Sequence, residues 1–88
     1  MKYRATETFW RKFYRLAAFQ KANTRAAWAI FKENPFDPRL GAHKINNLSA
    51  HYKKTIYSVV IENDLRVLFY IEDDAVWTVD IGTHAVYQ

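Results

Sequence analysis

The chain contains no cysteine. A secreted domain of this size usually depends on disulfides, because a small core supplies little stability by itself. The expected setting is therefore the reducing cytoplasm. No stretch approaches the roughly 20 apolar residues of a membrane span. The segment Met1-Lys2-Tyr3-Arg4-Ala5-Thr6-Glu7 has no apolar run behind its charges and does not read as a signal peptide. A soluble, cytoplasmic protein without membrane contact is expected. Glycine and proline occur only twice each, which excludes a Gly-rich phosphate loop and a nucleophile elbow. The three histidines, His43, His51 and His84, lack metal-ligand spacing and have no thiol partners, so neither a metal nor another cofactor is expected.

Acids are scarce in the first 54 residues, where Glu7, Glu33 and Asp37 face twelve of the thirteen Lys and Arg. The remainder reverses the balance, with Arg66 alone against six acids. Such asymmetry suggests a basic face for a polyanion or an acidic protein, the alternative being an ordinary solvated helix surface. What is abundant is aromatic: six Phe, six Tyr and three Trp in 88 residues, half of which are hydrophobic. One domain, 1–88, fits this length. It would bury roughly 60–65% of the surface its unfolded chain exposes, so large side chains must fill the core.

The patterning predicts α+β architecture. Residues 1–5 read as a short edge strand. Thr6 or Thr8 caps a helix running to about Phe19, with Phe9, Phe13, Leu16 and Ala17 at helical spacing. Gln20 to Asn23 reads as a connection. A second helix, capped by Asn23 or Thr24 and carrying Ala27, Ile30 and Phe31, stops before Pro35. Two helices so closely joined predict an antiparallel hairpin. Residues 34–41 hold both prolines and Gly41 and divide a helical half from a strand half. The polar stretch from Asn46 to Lys54 reads as loop, with His51 solvated in it. Three alternating strands follow: residues 55–62, with Tyr57, Val59 and Ile61 on one face; 65–72, with Leu65, Val67, Phe69 and Ile71 opposite Arg66, Leu68 and Tyr70; and 75–81, with Ala75, Trp77, Val79 and Ile81 together. Asn63-Asp64 and Asp73-Asp74 are tight turns, so the strands form an antiparallel meander with the helices on one face.

Local motifs add to this order. Leu40-Gly41-Ala42-His43-Lys44-Ile45, Ser58 followed by Asp64, Arg66, Val67 and Phe69, and Asp80-Ile81-Gly82-Thr83-His84 with Val86-Tyr87 behind it stand in sequence over residues 40–88. In kind and spacing they resemble the RelE/ParE superfamily of toxins from type II toxin–antitoxin pairs. The resemblance spans nearly the whole chain. It departs in three places. Only Ala85 separates His84 from Val86-Tyr87, where the family commonly has two residues. The strand before Arg66 offers Tyr57, Val59 and Ile61 where strong nucleases carry lysines. Val60 stands where some histidine-using members have His.

The resemblance implies a toxin that inhibits translation as a ribosome-dependent, metal-independent mRNA endonuclease of the RelE/YafQ-like branch. Its alternatives are a ParE-like inhibitor of DNA gyrase without nuclease activity and a degenerate toxin that only binds antitoxin. Partners would be a cognate acidic antitoxin, the ribosome and mRNA. The toxin would be monomeric alone and of higher order with antitoxin. Metal-free RNA cleavage needs a base for the 2′-OH, positive charge for the phosphorane-like transition state and an acid for the leaving 5′-oxygen. Histidine suits the proton transfers and arginine the phosphate. The catalytic candidates are His84, Arg66, His43 and Tyr87. Lys44, Lys53, Lys54, Arg11, Lys12 and Arg15 are candidates for RNA binding. Each has a plainer reading. His84 and Tyr87 would pack the tail, His43 would be a structural histidine, Arg66 would pair with Asp64, Glu72 or Asp80, and the cations would form a solvated face.

Overall fold

In the computed structural model of the chain, residues 1–83 are described. Strand β1 (Lys2–Ala5) leads into helix α1 (Glu7–Phe13). Thr6 caps that helix, its hydroxyl oxygen accepting from the Phe9 N–H at 3.2 Å. Glu7 lies at the positive end of the helix and Arg11 and Lys12 at the negative end. Helix α1 is shorter than its apolar spacing predicts. After Phe13 the chain tightens into three-residue turns, with Arg15 and Leu16 N–H groups donating to the Lys12 and Phe13 carbonyls. Helix α2 (Ala18–Glu33) then begins ahead of both alternative caps expected for it, Asn23 and Thr24. Gln20, expected in a connection, accepts from the Ala17 N–H at the helix start. Thr24 lies buried inside α2 and donates to the Gln20 carbonyl. Before Pro35 the helix stops as expected.

The Pro/Gly segment folds into a short 3₁₀ turn (Pro38–Leu40) closed by Gly41 at φ +58°, a left-handed conformation that favours glycine. Strand β2 (His43–Lys44) follows, then helix α3 (Asn46–Tyr52) and strands β3 (Tyr57–Glu62), β4 (Leu65–Glu72) and β5 (Ala75–Gly82). The expected meander of β3, β4 and β5 is present. It grows into a five-stranded sheet of order β1-β5-β4-β3-β2, because β1 pairs parallel to β5 and β2 antiparallel to β3. Asn63 and Asp73 make the two turns at φ 35° and 54°, which Asn and Asp tolerate better than most residues.

Helices α1 and α2 cover one sheet face, α1 over β5 and α2 over β3. Phe9, Phe13, Ala27 and Phe31 meet Val59, Leu65, Val67, Phe69, Val76 and Ile81 there. A second, smaller core lies on the opposite face. Its roof is α3, which places Leu48 against Ile56, Leu68 and Val79. The loop expected from Asn46 to Lys54 is thus a helix over most of its length. It escapes pattern reading because Leu48 is its only buried residue and its start has no side-chain cap. Ser49 supplies the anchor instead, donating to the Ile45 carbonyl and accepting from the Ile56 N–H, both at 2.8 Å.

Strand β5 also departs from simple alternation. Leu68 pairs with Asp80 and Phe69 with Thr78, so Val79 is an extra residue in a β-bulge. The bulge shifts the pattern. Val76 and Ile81 lie in the core beneath α1 and α2, whereas Trp77 and Val79 belong to the core beneath α3. The expected grouping of Ala75, Trp77, Val79 and Ile81 is therefore divided between two faces. No helix among the described residues is long and apolar enough to cross a membrane.

Candidate active site

Arg66 lies in β4 between Val60 of β3 and Gly82 of β5. Directly opposed residues share a face, and alternation puts this row opposite the face on which Leu65 and Val67 meet the helices. Arg66 is half-buried. Its Nη1 donates to the Asn63 carbonyl at 2.6 Å and more weakly to the Leu65 carbonyl at 3.3 Å. Asn63 sits at φ 35° in the turn between β3 and β4. Among the described residues Arg66 has no ion pair. Two of the three acids expected as its partners, Asp64, Glu72 and Asp80, are occupied elsewhere: Lys54 holds Glu72, and Lys12 holds Asp80 at 2.8 Å. Backbone carbonyls therefore orient the guanidinium without neutralising it.

His43 stands opposite Ser58 across the β2–β3 pair, one row from Val60 and Arg66. Sheet spacing puts the Cα atoms of His43 and Arg66 roughly 12 Å apart across β3, a span that long side chains and a nucleotide can bridge. The His43 Nδ1 lies 3.2 Å from the Gly41 carbonyl. A carbonyl only accepts, so this contact requires the proton on Nδ1 and makes Nε2 the basic nitrogen of the neutral ring. That tautomer suits a general base.

The candidate cations do not form one patch. Lys44 pairs opposite Tyr57 and so takes the other face of the sheet from His43. Lys53, at φ 58°, closes α3 and is exposed. Lys54, besides its acid, lies 5.1 Å from the centre of the Tyr70 ring. Arg11 and Arg15 are exposed at the end of α1 and in the turn behind it. His51 is exposed on α3 with its ring edge toward Tyr52. His84 and Tyr87 lie outside the described residues. No cluster of three His, Cys, Asp or Glu suited to a metal ion occurs among the described residues.

No protein-family model matches the sequence, and no curated protein matches it either. Solved structures do. A toxin described as YoeB/ParE from Agrobacterium tumefaciens superposes with a TM-score of 0.75 at 16% identity, covering 96% of this chain and 99% of the other. The archaeal RelE–RelB complex from Pyrococcus horikoshii contains a chain matching at TM-score 0.72 and 10% identity, over 93% of this chain and 92% of that one. The E. coli DinJ–YafQ complex contains another, at TM-score 0.63 and 17% identity, over 97% and 94%. This chain has the RelE/ParE toxin fold.

Within the RelE/ParE fold, two features of this chain carry no sequence signal of their own. One is the Asn63 carbonyl that orients Arg66, a backbone group no motif reveals. The other is the Lys12–Asp80 pair, whose members lie 68 residues apart. Asp80 opens the Asp-Ile-Gly-Thr-His run, yet nothing in the run itself points to α1. Asp80 also influences α3. The Tyr52 phenol has a raised pKa, first through burial and then through the negative charge of Asp80, with Lys12 acting in the opposite direction.

Proposed function

We propose that this protein is the toxin of a type II toxin–antitoxin pair and acts as a ribosome-dependent mRNA endonuclease. The observation that carries the reading is Arg66: a guanidinium on the sheet face away from α1 and α2, aimed by backbone carbonyls and unclaimed by any acid among the described residues. A structural arginine would be expected to take the nearby carboxylates. An arginine left charged on the same sheet face as His43 suits a phosphate that gains charge in a transition state. In this reading His43 Nε2 takes the proton from the 2′-OH. The 2′-oxygen attacks the adjacent phosphorus, Arg66 stabilises the phosphorane, and the departing 5′-oxygen is protonated from the tail that carries His84 and Tyr87. The ribosome supplies the ordering of the RNA, which a small domain cannot provide.

The partner reading rests on the opposite side of the molecule. Trp10, Tyr14 and Phe19 are exposed on a part of the chain rich in Lys and Arg. A groove of about 380 Å³ between α1 and α2 is lined by Phe9, Trp10, Phe13, Tyr14, Arg25 and Trp28 among others. An acidic antitoxin that folds on binding suits such a surface. The deciding experiment adds purified protein to programmed ribosomes, to naked mRNA and to a gyrase supercoiling reaction. Cleavage only with ribosomes, independent of divalent metal for the chemistry, is expected. Inhibition of supercoiling without RNA cleavage would replace this reading with the gyrase one.

A further inference from the structure

Strand β1 ends at Ala5, paired with Thr78, so among the described residues the last four of β5 run on without a strand beside them on that edge. The chain ties this edge with backbone and side-chain groups of the segment that follows β1. The Thr6 N–H donates to the Thr78 carbonyl at 2.9 Å. The Thr6 hydroxyl donates to the carbonyl of the bulged Val79 at 3.0 Å while accepting from the Phe9 N–H. Farther along α1, Lys12 Nζ donates to Asp80 Oδ1, which also accepts from the Ile81 N–H at 2.9 Å. The Asp80 side chain is only 13% exposed and the Lys12 side chain 41%. Three consecutive residues of β5 are therefore tied to α1 and its cap, and the tie lies just before Gly82 meets Arg66.

We propose that Thr6, Lys12 and Asp80 form a latch that fixes the bulge of β5 and thereby sets how the chain leaves the sheet opposite Arg66. Lys12 and Asp80 are positioning residues of the endonuclease site, and Lys12 is not an RNA-contacting cation. A bulge is a hinge in a strand: it turns the strand, and its unpaired residue weakens the ladder locally. Without those ties, the β4 ladder would be what holds the register of Asp80 to Gly82 among the described residues. Catalytic groups tolerate little displacement, since an error of about 1 Å can cost on the order of 100-fold in rate. The catalytic part of this inference rests on the endonuclease reading. The structural part does not.

The test uses Lys12→Met, Lys12→Arg, Asp80→Asn and the double variant that combines Lys12→Met with Asp80→Asn. Each is assayed with programmed ribosomes and by amide hydrogen exchange. A latch predicts that Lys12→Met and Asp80→Asn each lower kcat on the order of tenfold or more with KM little changed. The double variant should be no worse than the poorer single one, because both remove one interaction. Lys12→Arg should restore most activity. The amides of Ile81 and Gly82 should exchange faster in both single variants. A contact to RNA predicts otherwise: Lys12→Met would raise KM and weaken the salt dependence, and Asp80→Asn would be silent. That pattern, or unchanged exchange at Ile81 and Gly82, overturns the latch. If the unaltered protein cuts no mRNA, the endonuclease reading fails by itself, and hydrogen exchange still decides whether the latch exists.

Discussion

The two faces of the sheet are built from the same strands and finished differently. Beneath α1 and α2 the face is continuous: Phe31, Tyr57 and Phe36 all bring their rings within 6 Å of Phe69, and Phe69 is fully buried. The other face has a sealed end, where Leu48, Ile56, Leu68 and Val79 pack under α3, and another end where Val60, Arg66 and Gly82 lie side by side. Alternation along β4 feeds both, placing Val67 and Phe69 on one side and Arg66, Leu68 and Tyr70 on the other. On the proposed reading, the difference separates stability from chemistry. Removing a side chain from the first face should cost folding. Removing Arg66 from the second should cost function with little loss of folding.

The largest expected effect tests the first half of that contrast. Phe69→Ala empties the centre of an aromatic cluster, and such truncations cost about 3–5 kcal/mol. A domain has only about 5–15 kcal/mol to lose, so thermal or denaturant unfolding should show a severely destabilised protein. A loss below about 1 kcal/mol would mean that this face is not the main source of stability.

Arg66→Ala tests the second half. Loss of a preorganised charge from a transition state costs about 3 kcal/mol, a rate loss on the order of 100-fold or more. Stability should change by less than about 1 kcal/mol, since only carbonyl hydrogen bonds at a strand end are lost. Arg66→Lys should recover part of the activity, because a point charge lacks the planar fork of donors. A destabilised Arg66→Ala protein that keeps full activity per folded molecule would assign the residue to the fold.

These two substitutions also mark what was legible in the sequence. Period-two spacing of Leu65, Val67 and Phe69 placed them together, and the structure buries all three. The face of Arg66 followed from the same spacing. Thr6 was one of two candidate caps and is the one used. The features that escaped depend on partners distant in the chain. Helix α3 rests on Leu48 packing with Ile56, Leu68 and Val79 and on Ser49 reaching Ile56, contacts that leave no local periodicity. The bulge at Val79 is held by Thr6, 73 positions away. Strict alternation from Ala75 to Ile81 was the natural reading in its absence. Helix α2 starts early, at Ala18, behind the tight turn after Phe13, where Leu16 packs partly buried against the core.

A smaller effect concerns a flaw in the well-packed face. Thr78 is fully buried opposite Phe69, and among the described residues its hydroxyl oxygen has no hydrogen-bond partner. Valine has nearly the same shape without the polar atom, so Thr78→Val relieves a desolvation cost on the order of 1 kcal/mol. A rise of about 4–8 °C in Tm is expected for a domain of this size. A fall in Tm would show that the hydroxyl is satisfied in solution.

The smallest expected effect compares the faces through their tyrosines. Tyr3, on the α2 side, donates to the Phe31 and Lys32 carbonyls, and burial raises its pKa. Tyr52, on α3, is raised by burial and then by Asp80, with Lys12 opposing. A phenol whose pKa is higher in the folded state than in the unfolded chain contributes stability that is complete below the unfolded value, near 10. That contribution is lost as pH rises from there through the folded value, because the unfolded chain releases its proton first. Stability should thus fall above about pH 10 in the parent protein. Tyr3→Phe should already lower Tm at about pH 8, since its hydroxyl holds two carbonyls. Tyr52→Phe should change Tm little at about pH 8 and reduce the alkaline slope. In Asp80→Asn that slope should flatten, because the negative charge that adds to burial in raising the Tyr52 phenol is gone. Thermal melts of the four proteins between about pH 8 and about pH 11 read all of this. An alkaline slope equal in Asp80→Asn and the parent would mean that the electrostatic link from Asp80 to α3 is too weak to matter.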